Sequence, residues 1–431
     1  MNKSESEKTL LRLNALHPKV IDLSLKRVFS LLESLDNPQK KLPPVIHIAG
    51  TNGKGSTLAF IKAGLETRGN TVHSYTSPHL CRFNERIKLK GLDIPDRLLS
   101  RYLKYCEEYN LGRKITLFEI TTCAAFLAFS KVPADYTLVE VGLGGRLDAT
   151  NVIENAALSI ITPISIDHQQ FLGDTIESIA IEKAGILKTD TPAIVGKQCD
   201  SVNDIIFQKA KKLEIPLSVY GKDWLSKKFK ETLVYEDNDG EIIFPAPKLI
   251  GDHQFENAGI AITAFRKLNI HQQYAEKALL NVNWPARLQK LKSGPLICLL
   301  EKLPYTVEFW IDGGHNQAAA QALGSFLKTT FDGTSHLIFG MINSKDVIGF
   351  LSEVAYISKS VTCIKIPNEN SSLTADEIYK EAYKINYNSF KANSLKLAIE
   401  NIISRNIAKR NLRILACGSL YLSGQILRDH S

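Results

Sequence analysis

The chain has 431 residues, a formal charge of +8 and a hydrophobic fraction of 44%. That length suggests two or three domains with ample core, and the composition is that of an ordinary globular protein. No Lys/Arg block interleaves with aromatic residues, so no nucleic-acid partner is expected, and the modest positive charge suits small anionic substrates. The opening stretch MNKSESEKTLLRLNALHP lacks the apolar centre of a signal peptide, and no apolar run approaches the roughly 18 residues of a membrane span. Seven scattered cysteines without a C-x-x-C pair argue against a zinc ribbon or disulfide framework. A cytoplasmic protein with no membrane partner is the expectation.

A helical entry over residues 4–35 leads to a break at Pro43, and residues 45–49 read as a buried strand. The stretch HIAGTNGKGST, residues 47–57, follows, and residues 56–68 read as a helix with Leu58, Ile61 and Leu65 on one face and Gly69 as its C-cap. Strand, glycine loop and helix are the context a phosphate-binding loop requires. Backbone N–H groups can turn toward an anion there, and the helix N-terminus adds partial positive charge. Lys54 would neutralise phosphate oxygens, and Ser56 or Thr57 would sit near a metal ion. Gly55 separates Lys54 from Ser56, so the usual G-x-x-x-x-G-K-[ST] spelling does not fit.

Residues 137–141 and 157–161 read as further buried strands, and strands alternating with helices imply a parallel sheet. Glu140 stands in one of these apolar strands, where a carboxylate must be paired or bound to metal. An ion pair with Arg146 and a metal-binding role are both open. The following GLGGRLDATN reads as a tight loop over a site, with Arg146 and Asp148 as polar contacts. In the stretch SIDHQQFLGDTIESIAIEKAGILK, His168 is expected to end the preceding strand, where ligand residues gather in α/β folds. Asp174 is expected to cap a helix with Glu177 as reciprocal partner. Lys183 falls at helical spacing from Ile176 and Ile179, on the apolar face. Its ammonium either snorkels to water or is strongly paired or modified. Carbamylation would turn it into an anion able to bind Mg²⁺ or to position residues that do.

The strand–helix pattern restarts after Trp284–Pro285. Residues 306–311, 336–339, 361–366 and 413–416 read as strands, and 394–407 as a helix. The expected division is 1–288 and 296–431, with ligand favoured in a cleft between two α/β domains. Asp312 and His315 of WIDGGHNQAA follow one strand, Asn257 opens a helix, and Arg287 lies at the boundary, where it would suit a γ-phosphate contact made on closure.

Seven stretches stand in order: GTNGKGS, TSPHLCRFNERI, EVGLGGRLDATN, DHQQFLGDTIESIAIEKAGI, IDGGHN, GMINSKD and GSLYLSG. Together they resemble the Mur ligase superfamily and, within it, the folylpolyglutamate synthase/dihydrofolate synthase family, over residues 21–424. The GTNGKGS spelling, with its extra glycine, is that family's form of the loop. The resemblance implies an N-terminal P-loop ATPase-like α/β domain with a mostly parallel sheet and a smaller Rossmann-like C-terminal α/β domain. It implies ATP contacts from Gly50, Thr51, Asn52, Gly53, Lys54, Gly55, Ser56, Asn257, Arg287, Asp312 and His315. Ser77, Glu140 and His168 would bind Mg²⁺, with two ions expected and Mn²⁺ able to substitute, and Lys183 is the carbamylated position. Lys54, Lys183, His168 and Arg287 would carry the catalysis.

The resemblance also places dihydropteroate contacts on Asp22, Leu23 and Ser24, on Phe118, Glu119, Ile120 and Thr121, and on Leu147, Asp148 and Ala149. Three positions depart from the family pattern: Ser24 replaces a usual glycine, Ser165 a small residue, and Gln317 a usual proline. The implied reaction is ATP-dependent addition of L-glutamate to dihydropteroate and to tetrahydrofolate through an acyl phosphate, by a monomer. Alternatives are a folylpolyglutamate synthase alone, a ligase of another carboxylate, a kinase or GTPase, and a non-enzymatic nucleotide-binding module. The NSKD stretch has the wrong order for a guanine-binding set.

Overall fold

The structure, a computed structural model, describes residues 4–17, 21–329 and 331–430. The chain divides into two compact units, residues 1–248 with 255–283, and residues 249–254 with 284–431. The division falls at 283/284 and not after residue 288, because Ala286 and Leu288 are already bonded to Gly313 and Asp312 of the second unit and Leu288 packs in its core.

In the first unit eight strands form one sheet: β1 (Val45–Ala49), β2 (Val72–Tyr75), β3 (Ile87–Leu89), β4 (Leu92–Asp93), β5 (Tyr136–Glu140), β6 (Leu158–Ile161), β7 (Ala193–Val195) and β8 (Leu217–Val219). Their order is β4-β3-β2-β5-β1-β6-β7-β8, and β2 to β8 through β1 run parallel, with β3 and β4 antiparallel at one edge. β1 is buried along its whole length, as expected of a central parallel strand covered on both faces. Leu31, Leu103, Phe126 and Phe129 belong to one core cluster, and Ile161, Ile179, Val195 and Ile206 to another.

The expected helical entry is two helices, Glu5–Asn14 and Lys26–Ser34; residues 18–20 of that stretch lie outside the described residues. A three-stranded antiparallel meander, β9 (Trp224–Phe229), β10 (Thr232–Asp237) and β11 (Gly240–Pro245), is an addition to the expected elements. It packs on the helix His253–Lys267, where the Tyr235 and Thr263 hydroxyls are 3.1 Å apart.

The second unit holds β12 (Gln289–Lys290), β13 (Val307–Ile311), β14 (Thr334–Phe339), β15 (Ser360–Cys363), β16 (Ser389–Lys391) and β17 (Leu412–Cys417). The order is β12-β13-β17-β14-β15-β16, parallel except for β12. Both units are therefore α/β, the second smaller. Among the described residues no helix is long and apolar enough to cross a membrane.

Candidate active site

The chain leaves β1 into the glycine loop, and the helix Lys54–Thr67 begins two residues before the expected start. Gly53 explains the shift. It caps the helix in the left-handed region at φ +86°, where a side chain is strained. A Cβ at Gly53 would also come within 2.3 Å of Asn257 Oδ1, so this loop and Asn257 are in close approach. Asn257 lies in the second turn of its helix rather than at its start.

Thr51 and Asn52 hold the loop down. Their N–H groups donate to the Pro163 carbonyl at 3.0 and 3.2 Å, and their side chains bond Ser165. The Thr51 hydroxyl donates to the Ser165 carbonyl, whereas Asn52 Nδ2 donates to Ser165 Oγ at 3.2 Å, so Ser165, one of the three departures, adds one bond that glycine or alanine lacks. The amides of Lys54, Gly55 and Ser56 open the helix, where no intrahelical carbonyl is available to them. Thr57 Oγ1 is buried without a hydrogen-bond partner. Lys54 Nζ donates to the Gly50 and Thr51 carbonyls at 3.1 and 3.2 Å.

Lys183 reaches the same oxygen. It is buried, and Nζ donates to the Gly50 carbonyl at 2.9 Å, so the side chain points into the phosphate loop and does not snorkel. It ends the helix Ile176–Lys183, whose buried stripe includes Ile179 and Ala180. The cap of that helix is Thr175, accepting from the Ser178 N–H at 3.2 Å, and not Asp174. The extended backbone of Thr175, at φ −113°, gives its hydroxyl the capping position.

Glu140 and Ser77 come together because their strands pair: Tyr75 of β2 lies opposite Val139 of β5, with Glu140 one residue beyond Val139 and Ser77 two beyond Tyr75. The Ser77 N–H donates to Glu140 Oε2 at 3.3 Å, and Glu140 is 6% exposed. Arg146 is not its counter-ion. Arg146 pairs with Glu182 at 2.7 Å. His168 does not end β6, which stops at Ile161; it opens the short helix Gln169–Leu172 in a left-handed conformation, φ +53°. Asp167 lies beside it, its carboxylate 3.9 Å from His168 Nε2, a neighbour the sequence reading missed. Among the described residues no three His, Cys, Asp or Glu side chains converge as a metal cluster. A carboxylate, a hydroxyl and an imidazole are donor types that Mg²⁺ or Mn²⁺ accepts, and of the three residues the structure joins Glu140 and Ser77 directly.

The loop after β5 is fastened to the end of the Lys183 helix. The Arg146 N–H donates to the Glu182 carbonyl at 2.7 Å, and Asn151 Nδ2 donates to the Arg146 and Gly185 carbonyls. A Cβ at Gly145 would meet the Glu182 oxygen at 2.7 Å, and one at Gly185 would meet Arg146 Cα at 2.4 Å. Asp148, expected as an outward polar contact, is 2% exposed and shapes its own loop. It accepts from the Leu143 N–H at 2.9 Å, the Thr150 N–H at 3.0 Å and the Thr150 hydroxyl at 2.6 Å. Burial pushes its carboxyl above the usual range, against the pull of these donors.

The three segments that the resemblance assigns to the acceptor approach one another, the third through Gly142 and Leu143 of its loop. Arg27 spans Asp22, at 3.0 Å, and Glu119, at 2.9 Å, and also donates to the Asp22 carbonyl. Glu119 is buried and doubles as the capping-box partner of Thr116. Phe118 lies against Gly142, where a Cβ would be 2.4 Å from the ring. Leu23 and Leu143 pack on the same core cluster. Thr121 turns its hydroxyl to the Leu117 carbonyl, and Ile120 is core. Arg27 was missed, although a buried glutamate in the otherwise apolar helix Leu117–Lys131 demands a cation.

In the second unit Asp312, just past β13, accepts from the Leu288 N–H at 2.8 Å and the Gly314 N–H at 2.7 Å. This ties the Arg287 segment to the sheet, and Arg287 NH1 donates to the Ala286 carbonyl at 2.9 Å. Ala286 and Leu288, on either side of Arg287, both have left-handed backbone, at φ +56° and +40°. Strain of that kind persists where surroundings over-determine it. His315 lies 3.4 Å from the Gly313 carbonyl, and Asn316 caps the helix Gln317–Leu327. Gln317, in place of the usual proline, bonds Glu353.

Residues 48–265 match the Mur ligase middle domain, and residues 299–429 match the dihydrofolate synthetase C-terminal domain. A Haemophilus influenzae protein named dihydrofolate synthase/folylpolyglutamate synthase is 32% identical over 416 residues, covering 94% of this chain and 93% of its own. An Escherichia coli structure in complex with DHPP and ADP is similar at a TM-score of 0.87 and 28% identity, covering 99% of this chain and 98% of the other. A bifunctional folylpolyglutamate synthase/dihydrofolate synthase with Mn, AMPPNP and L-glutamate bound is similar at 0.85 and 25% identity, covering 99% and 98%. The chain belongs to the Mur ligase family and, within it, to the dihydrofolate synthase/folylpolyglutamate synthases.

Proposed function

We propose that the chain joins L-glutamate in amide linkage to dihydropteroate, forming dihydrofolate, and to folates, forming polyglutamates, at the expense of ATP. The observation that carries this reading is the meeting of a phosphate loop, a buried carboxylate and three acceptor segments within one unit. An oxygen of the acceptor carboxylate attacks the γ-phosphorus, ADP departs, and an acyl phosphate results. The glutamate amine then attacks the acyl carbon, loses a proton, and phosphate leaves. Phosphorylation is needed because oxide is too poor a leaving group.

Lys54 and the amides of residues 53–56 would hold the phosphates, with Asn257 against the loop. Arg287, Asp312 and His315 are assigned to ATP, and Arg287 offers charge for the transferring phosphoryl group. Ser77, Glu140 and His168 would hold Mg²⁺. The bound metal supplies neutralisation of phosphoryl charge. Asp22 to Ser24, Phe118 to Thr121 and Leu147 to Ala149 are assigned to the pteroyl acceptor, with Glu119 and Asp148 acting by shaping those segments. Lys183 is assigned as a carbamate. Lys183→Ala is expected to lose activity that acetate or bicarbonate partly restores, and unchanged activity would remove the assignment.

A cytoplasmic monomer is the proposed state; the seven cysteines are all free, which fits a reducing compartment, and sedimentation tests the monomer. Phosphate release with ATP, L-glutamate and either dihydropteroate or tetrahydrofolate tests the function. Acceptor-dependent release is expected with both. Release with tetrahydrofolate alone would reduce the activity to polyglutamate extension, and none with either would reject the ligase.

A further inference from the structure

His47 is the polar residue in the middle of β1, flanked by buried Val45, Ile46, Ile48 and Ala49, and is 1% exposed. It stands three residues before Gly50, opposite Val139 on one neighbouring strand and Ser159 on the other. A polar group so placed is costly unless bonded. Its Nε2 is 2.9 Å from Thr150 Oγ1, and Thr150 Oγ1 is 2.6 Å from Asp148 Oδ1. The carboxylate only accepts, so the Thr150 hydroxyl donates to Asp148 and accepts from His47 Nε2–H. Asp148 closes the chain by accepting from the Leu143 N–H. Three side chains therefore run in series from the strand that feeds the phosphate loop to the loop carrying Leu147, Asp148 and Ala149. Burial, with Lys188 adding to it, pushes the His47 imidazole down to about 3, so it remains neutral and orients rather than transfers protons.

We infer that His47 and Thr150 are positioning residues that, through Asp148, set the acceptor-binding loop at residues 142–152 relative to the phosphate loop. This rests on the reading above that the segment Leu147 to Ala149, shaped by Asp148, belongs to the pteroyl acceptor's site. An apolar residue at 47 would fill the core equally well, whereas the imidazole adds a directed bond to one loop. Networks of this kind fix geometry more than they add net stability.

The test is steady-state kinetics of Thr150→Val, Thr150→Ser, His47→Leu and the Thr150→Val/His47→Leu double variant, with amide hydrogen exchange alongside. Thr150→Val and His47→Leu are each expected to raise the KM for dihydropteroate about tenfold, with the KM for ATP within about twofold of the parent. Thr150→Ser should restore the acceptor KM. The double variant should be no worse than the worse single one, because both break one series. Exchange should quicken at residues 142–152 in Thr150→Val and stay unchanged at 50–57. Equal damage from Ser and Val at 150, a parallel rise in both KM values, or multiplying defects in the double variant would overturn the inference. If the parent enzyme releases no phosphate with either acceptor, the ligase reading fails, and the exchange data then decide the network alone. Faster exchange at 142–152 supports it and an unchanged pattern overturns it.

Discussion

The phosphate loop and the segments proposed to bind the acceptor lie in one unit but are built by different means. Backbone shapes the phosphate loop: Gly53 turns the chain, the Pro163 carbonyl takes two amides, and the Gly50 carbonyl takes both lysines. Charged side chains from distant segments shape the acceptor side, where Arg27 gathers Asp22 and Glu119 across 92 positions of sequence, and Asp148 gathers the amides of its loop. A site made of local backbone is rigid and spelled in one motif. A site made of side-chain networks can be retuned residue by residue, which suits an enzyme whose acceptor varies while its nucleotide does not.

The largest expected effect tests whether Glu140 serves the phosphate side. Glu140→Gln should lower turnover at least about 100-fold with the fold intact by circular dichroism. Near-normal turnover would remove Glu140 from the metal set. Gly53→Ala separates the two sides more sharply. Its Cβ would press on Asn257 at a left-handed position, so the KM for ATP should rise on the order of tenfold while the acceptor KM holds. Arg27→Leu should do the reverse. It leaves the Glu119 carboxylate buried and unpaired, so unfolding should come about 2 kcal/mol sooner in denaturant, and the acceptor KM should rise with the ATP KM unmoved. Adding Glu119→Leu should recover stability without recovering the KM.

The smallest effect is a control in the second unit. Burial, with Lys359 and Arg405, pushes His336 down to about 4 in the folded protein, while the unfolded chain takes its proton near 6.5. The stability tied to neutral His336 is present above pH 6.5 and is lost as pH falls toward 4. His336→Gln should flatten that part of the melting-temperature profile and leave both KM values alone.

The sequence disclosed the central strands well, because β1, β5 and β6 are predominantly apolar and buried, with His47, Glu140 and Ser159 as isolated polar positions. It disclosed the short edge strands and the β9–β11 meander poorly. The meander strands WLSKKF, TLVYED and GEIIFP are as long as the buried ones but mix polar and apolar residues without a clear period, and only the Asn238–Asp239 turn before Gly240 punctuates them. In the site, the motif residues were legible and their partners were not. Lys183 stood out as a cation on an apolar face, yet only the fold shows that it reaches the Gly50 carbonyl. Arg146 looked like the natural partner of Glu140 from six positions away, but the strand end and the loop turn them apart, and Glu182 takes the guanidinium. Asp148 read as a ligand contact because nothing local reveals that its oxygens are already committed to Leu143 and Thr150.

The dovetail of Gly145 against the Lys183 helix and Gly185 against Arg146 carries a consequence of its own. Neither backbone can advance on the other, and the Arg146 N–H to Glu182 carbonyl and Asn151 to Gly185 carbonyl bonds hold them from parting. A chemical change at Lys183 would then be felt at Leu147 to Ala149 as a displacement.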